Sequence, residues 1–286
     1  KSTNGFNTAG TLIANATGAT YLPEGQLTVT TSYRRYAKDA TCNTTPEVST
    51  GTWTVTVRPQ FTAGAINTTG ETICYNTSPS ATIGSSTDAT GGDNTISYSW
   101  YLSTDNFTSS SLISSATAAT YTPAGPLTTT TSYRRYAKDG TCNTTPELSS
   151  GTWTVTVRPQ FNAGSIASGS ETICYNGDAA EITGQAATGG DGTYSYQWQS
   201  STTSSSAGFS DIANADGVSY NPPSGLQTTT WFQRLAKSGC EQNFLESTNV
   251  FQVVVREQFT ITASAASNNP ICYNTAAPQL SVTAQG

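Results

Sequence analysis

The chain has 286 residues, 10% of them charged and 35% hydrophobic, with a net charge of −6 and no histidine. Its few Lys and Arg are spread evenly along the sequence, which leaves no basic face for nucleic acid or for an anionic membrane. The missing imidazole removes His-based triads, the usual imidazole metal sites and the commonest general base. No stretch approaches the length of a transmembrane span, and at a hundred or so residues per domain the chain has room for about three domains. It starts without Met, which reads as a processed or excised piece.

From the N-terminus, a short piece ending in Tyr21, a Pro-containing turn and a Thr-rich strand through Tyr33 lead to Cys42. Trp53-Thr54-Val55-Thr56-Val57 then alternates as a half-buried strand does, and Arg58-Pro59 marks its exit. Next come the motif Ile73-Cys74-Tyr75-Asn76, an apolar segment around Ile83 and the glycine turn Gly91-Gly92-Asp93-Asn94. Ile96, Tyr98 and Trp100 follow on one face of a strand. Glycines suit the positive-φ positions of a hairpin, so the Ile83 segment is expected to pair with the Trp100 strand. Tyr121, a strand through Tyr133 and the alternating run Trp153, Val155, Val157 complete the copy.

The order then repeats. Residues 32–61 and 132–161 are nearly identical at an offset of one hundred, and a worn third version runs from Trp231 to Phe259. The motif ICYN returns at Ile173–Asn176 and Ile271–Asn274, and the turn Gly189-Gly190-Asp191-Gly192 precedes Tyr194, Tyr196 and Trp198. A fixed period of domain size marks an array of folding units. The expected divisions are 1–58, the back of one unit; 59–158 and 159–257, two complete units; and 258–286, the front of another. Trp100 and Trp198 are the expected core residues, with Trp53, Trp153 and Phe251 at equivalent last-strand positions. About a dozen residues, roughly Pro159 to Ser170, separate the last strand of one unit from the ICYN strand of the next, which predicts a stiff rather than loose connection. The two partial end pieces both lack the glycine turn and the Trp strand. They are expected to be cut from a longer array or to be completed by strands from neighbouring chains.

About seven short strands per period, a Trp on a middle strand, two cysteines and no sustained 3.6-residue pattern argue for an all-β fold of tandem immunoglobulin-like β-sandwiches, about 100 residues each, end to end. The six cysteines read as a disulfide framework of an oxidising, extracellular setting. The repeat leaves two connectivities open. Pairing within a period gives Cys74–Cys142 and Cys174–Cys240, with the partners of Cys42 and Cys272 outside this window; pairing across boundaries gives Cys42–Cys74, Cys142–Cys174 and Cys240–Cys272. A unit that closes its own staple favours the first.

Arg35, Arg135 and Arg234 stand at equivalent positions, as do Glu47, Glu147 and Glu246 in the following loop. Each Arg is expected to act as a clasp, paired with its Glu or stacked on a strand Tyr, rather than as an acid–base site. Asp93 and Asp191 read as turn residues rather than calcium ligands, and Tyr75, Tyr175 and Tyr273 as packing residues rather than a sugar platform. Nothing in the sequence supplies a catalytic set, a cofactor site or a metal site.

The series ICYN, GGDGTYSYQW, a Pro turn with TTT, YRR or FQR, G-x-C or GC and a T-V-T-V strand resembles the tandem Ig-like repeats of giant cell-surface adhesins in Bacteroidota, of which gliding-motility adhesins of the SprB type are an example. The resemblance implies modules exported, often by type IX secretion, to serve as surface stalks. The expected partners are neighbouring repeats of the same chain or filament, with surface glycans or other cells beyond them, and the expected place is the extracellular face of a bacterial cell. Two other roles stand beside this one: accessory modules of a large secreted hydrolase, and glycan-binding modules.

Overall fold

The computed structural model describes residues 1–263, 270–276 and 282–285. Among them there is no helix, and the strands assemble into two-layer sandwiches. By backbone contact the chain divides into two compact units. One comprises Lys1–Glu71, Ser80–Pro123 and Thr131–Val155, and the other Thr72–Pro79, Ala124–Thr130 and Thr156–Gly286.

The sandwich of the second copy shows how the sequence pattern becomes layers. Its larger sheet runs in the order Gly169–Ile173, Phe251–Val255, Thr230–Ser238, Tyr194–Ser201, Ser210–Asp211, with Leu245–Glu246 added to the central strand. Gly169–Ile173 lies parallel to Phe251–Val255, and the other neighbours are antiparallel. The facing layer is built from Ser165–Ile166 paired with Gly184–Gln185, and from bridges joining Asn162 to Thr188 and Ile182 to Tyr220. Between the layers lie Ile166, Ile173, Ile182, Trp198, Ala215, Phe232 and Val253, all buried. Every second residue of a strand faces this core, which is why Trp198, Phe232 and Val253 sit in alternating sequences.

The first copy has the same larger sheet: Glu71–Ile73, Trp153–Val157, Thr131–Lys138, Ser97–Ser103, Ser111–Ile113. Ala65–Ile66 and Ser85–Thr87 form its facing layer. In both copies the Trp of the strand beside the central one is fully buried, and its indole N–H donates to a backbone carbonyl, Trp100 to Ala118 at 2.9 Å and Trp198 to Gly217 at 2.8 Å. Those bonds satisfy the one polar atom that burial would otherwise strand.

The glycine turn does not close a hairpin. The Ile83 segment bridges to Tyr121 and continues into Ser85–Thr87, in the layer opposite the Trp100 strand. The turn is a crossing between layers, pinned where the Gly92 N–H donates to Pro59 O at 2.9 Å. Gly91, at φ +86°, leaves no room for a Cβ beside the carbonyl of Gln60, and Gly189 repeats this against Gln160.

In residues 1–58, Thr31–Tyr33 pairs with Trp53–Val55, and Tyr36–Ala37 with Glu47–Val48. Trp53 is 63% exposed where Trp153 is 5% exposed, because among the described residues no Trp-bearing strand or second layer covers it. A hollow of about 800 Å³ remains there, lined by Tyr21, Tyr33, Arg35 and Trp53 among others. At the other end, Thr260–Ala263 pairs with Val282–Gln285; the rest of 258–286 is described only at 270–276.

Candidate functional site

The repeated arginine ties several distant segments of each complete copy together. Arg135 is fully buried. Its Nε donates to Ser149 Oγ at 3.1 Å, Nη1 to Ser85 Oγ at 2.7 Å and to Ala119 O at 2.8 Å, and Nη2 to Ala65 O at 3.5 Å. Arg234, also fully buried, donates from Nε to Ser247 Oγ at 3.0 Å and from Nη1 to Val218 O at 2.6 Å. Its Nη2 serves three carbonyls, Ala163 at 3.1 Å, Ser165 at 3.3 Å and Gln185 at 2.7 Å. The serine is oriented in turn: Ser149 Oγ donates to Ala63 O at 2.7 Å and Ser247 Oγ to Ala163 O at 2.9 Å.

Each guanidinium lies over a strand tyrosine, Tyr98 at 4.9 Å and Tyr196 at 4.8 Å from the ring centre. Burial holds both arginines below the ordinary guanidinium range, with the neighbouring tyrosine opposing. A planar fork with five donors can tie several carbonyls at once, which a lysine cannot. The site therefore joins the two layers of one sandwich and keeps the guanidinium buried away from solvent.

The glutamates take no part in it. Glu147 and Glu246 sit on exposed two-residue strands beside the Arg strand, and neither is among the arginine's partners. The expected Arg–Glu pairing is replaced by backbone carbonyls, hydroxyls and an aromatic face. Arg35, in the uncovered N-terminal piece, is exposed and donates to Ala19 O at 3.2 Å, and Glu47 is exposed on its own short strand.

The turn aspartates are likewise bonded to the protein. Asp93 accepts from the N–H groups of Thr95 and Gly140 and from Thr141 Oγ1, and it lies 3.6 Å from Arg58. Asp191 accepts from the N–H groups of Thr193 and Gly239, each at 3.0 Å. Among the described residues no group of three or more His, Cys, Asp or Glu could hold a metal ion. The carboxylates instead fasten the loop after the Arg strand, which carries the second cysteine of each copy.

That cysteine is where the structure departs furthest from expectation. Cys74 is bonded to Cys240, with the Cα atoms 5.6 Å apart at a sequence separation of 166. The expected bonds Cys74–Cys142 and Cys174–Cys240 are both replaced, and Cys42, Cys142, Cys174 and Cys272 are free and exposed. Strand direction gives the reason. Cys174 follows Ile173, which is level with Val255, while Thr230 is level with Val253. Cys174 therefore sits near the start of the strand Thr230–Ser238, and Cys240 lies beyond its end. Nine residues at about 3.3 Å each keep them about 25–30 Å apart, against a reach of about 7 Å for a disulfide. The first copy has the same strand order, so the same separation applies to Cys74 and Cys142.

The surroundings of the ICYN cysteine reflect its state. Cys74 is half-buried and Cys174 exposed, although the backbone is held alike, Arg158 N donating to Ile73 O at 2.9 Å and Arg256 N to Ile173 O at 3.0 Å. A hollow of about 290 Å³ opens beside Cys174, lined by Tyr175, Arg256, Glu257, Gln258 and Phe259. Tyr273, after Cys272, is fully exposed.

No curated protein matches the chain. Among solved structures it is similar to the N-terminal four Ig domains of Dscam1 isoform 7.44, with 12% identity over 79% of this chain and 54% of that one, at a TM-score of 0.31. It is also similar to the N-terminal eight Ig domains of Down Syndrome Cell Adhesion Molecule isoform 1.30.30, with 12% identity over 84% of this chain and 33% of that one, at 0.32. Fibronectin(III)-like modules of Clostridium thermocellum CbhA match with 13% identity over 67% of this chain and 94% of theirs, at 0.26. The chain thus spans about half the length of the first of these. A family profile described as "Domain of unknown function (DUF8696)" matches at residues 62–159 and again at 162–257, and the chain belongs to that family.

Proposed function

We propose that the chain is a structural segment of a long extracellular repeat protein, serving as the stalk or filament of a cell-surface adhesin. The observation that carries this reading is the arginine tie, built twice from equivalent residues and fully buried within its own sandwich. A repeated polar centre buried between two layers supports a module whose work is to hold its shape. Tandem family domains, a disulfide and the lack of histidine support the same reading. The motif series also supports a surface adhesin of the Bacteroidota type, exported by type IX secretion and acting in gliding or attachment, with copies of the same repeat as immediate neighbours.

The test is to change copy number in the full-length gene. Removing copies is expected to shorten the reach of the surface fibre and leave target binding intact in a solution assay. Loss of binding in proportion to the copies removed would assign the binding to the repeats themselves and overturn the stalk.

A further inference from the structure

We propose that Cys74–Cys240 is one rung of a covalent ladder, in which the ICYN cysteine of each copy bonds to the G-x-C-type cysteine of the copy that follows. Cys74 belongs to the first copy's ICYN motif and Cys240 to the second copy's loop after the Arg strand, so the bond already joins consecutive copies. Cys174 is the second copy's ICYN cysteine and Cys142 the first copy's loop cysteine. They are the same two positions in the unbonded state, both exposed. Cys174 therefore takes the loop cysteine of a following copy, and Cys142 takes the ICYN cysteine of a preceding one.

Three features of the molecule fit this assignment. Segment 72–79 of the first copy, with 124–130 and 156–158 of the same copy, falls in the compact unit that holds the second copy, so the ICYN motif stands at the end of its sandwich where the next copy begins. The hollow beside Cys174 is bordered by Glu257, Gln258 and Phe259, where a further copy starts, and so lies where that copy's cysteine loop would seat. The loop is also prepared before it bonds. In the unbonded loop Asp139 Oδ1 accepts from the N–H of Cys142 at 2.6 Å and Asp93 holds Gly140 and Thr141, while in the bonded loop Ser238 Oγ accepts from Cys240 N–H at 3.2 Å and Asp191 holds Gly239. The thiol is thus presented on a pre-shaped turn whether or not its partner is present.

Forming each rung removes two protons and two electrons from two thiols, and the electrons pass to a disulfide oxidant by exchange. The inference deepens the stalk reading and rests on it only for the presence of further copies. A linked array without an adhesive role would keep the ladder, and an adhesive array with unlinked copies would end it.

The experiment maps disulfides in two chains refolded in oxidised and reduced glutathione, alkylated and digested without reduction. One is the chain of residues 1–286. The other continues past Gly286 with residues 189–257 of the second copy, the appended stretch carrying Asn243→Gln as a mass tag. The first chain should give the Cys74–Cys240 peptide, with Cys142 and Cys174 alkylated. The extended chain should keep that peptide and add one joining Cys174 to the tagged loop, leaving Cys42, Cys142 and Cys272 as thiols. The ladder is overturned if Cys174 stays alkylated in the extended chain beside an intact Cys74–Cys240 bond, if the tagged loop is found on Cys272, or if Cys74 is found on Cys142. Should the appended copy fail to fold, mapping of the full-length protein decides, since Cys174 linked to anything but the next copy's loop cysteine ends the proposal.

Discussion

At the scale of single residues, the arginine tie shows how one side chain can hold a small sandwich together. Removing Arg234 strands the carbonyls of Val218 and Gln185 and the hydroxyl of Ser247 in a buried site, each at a cost of about 1–3 kcal/mol. Arg234→Met is expected to destabilise the second sandwich by about 3–5 kcal/mol, and Arg234→Lys by nearly as much, because an ammonium reaches fewer of these acceptors. Arg35→Ala, at the exposed equivalent, should change stability by less than about 0.5 kcal/mol. Denaturant melts of the three variants check the contrast. The arginine's equivalent place in each copy was readable from the repeat, whereas its complete burial was not. Its partners were not readable, because most are backbone carbonyls, which carry no mark in the sequence. The glutamates invited a pairing that their exposed strands exclude.

Single elements show how one substitution changes the chemistry of a repeated loop. After the Trp strand, Ser103 Oγ donates to Asp105 and accepts from Phe107 N–H, and Arg134 lies over the Phe107 ring at 4.0 Å. The N-terminal piece builds the same loop from Ser2, Asn4 and Phe6, with Arg34 at 4.4 Å. Asp105, with Ser109 and then Ser103 donating to it, has its carboxyl held down to about 2, below the ordinary 3.8. A depressed carboxyl contributes stability above its ordinary value and loses it as pH falls through the folded value. The 103–109 loop should therefore loosen between about pH 4 and pH 2, while the 2–8 loop, with an amide in place of the carboxyl, keeps its order. An NMR titration of the loop amides reads both, and Asp105→Asn should abolish the difference. Strand alternation and the two glycine turns were legible at this scale. The pairing of those turns was not, since a turn that crosses layers and a hairpin turn ask for the same glycines. Only the close pass of Gly91 under Gln60 separates them.

For the molecule as a whole, the period and the core positions were open to sequence reading because each copy buries its own apolar face. The core around Trp198 is drawn entirely from the second copy. Trp198→Ala should accordingly cost that sandwich about 3–5 kcal/mol and leave hydrogen-exchange protection at Trp100 and Val155 of the first sandwich unchanged. Covalent connectivity was not legible, because sequence reasoning joins cysteines that are near in number. The strand between Cys174 and Cys240 carries them to opposite ends of one sheet, while the chain brings Cys240 beside a cysteine of the copy before.

The placement of that bond bears on how the molecule withstands cleavage. Cys74 and Cys240 enclose most of the first copy and most of the second, including the whole stretch between their sandwiches. A backbone cut anywhere from residue 75 to residue 239 leaves both fragments attached through sulfur. Limited proteolysis should thus give a ladder of nicked species that run together on a non-reducing gel and fall apart only when thiol is added. With Cys240→Ser the fragments of the same digest should separate at once. An enzyme that would sever an ordinary tandem chain with one cut must, within the enclosed stretch, cut a second time before any piece is released.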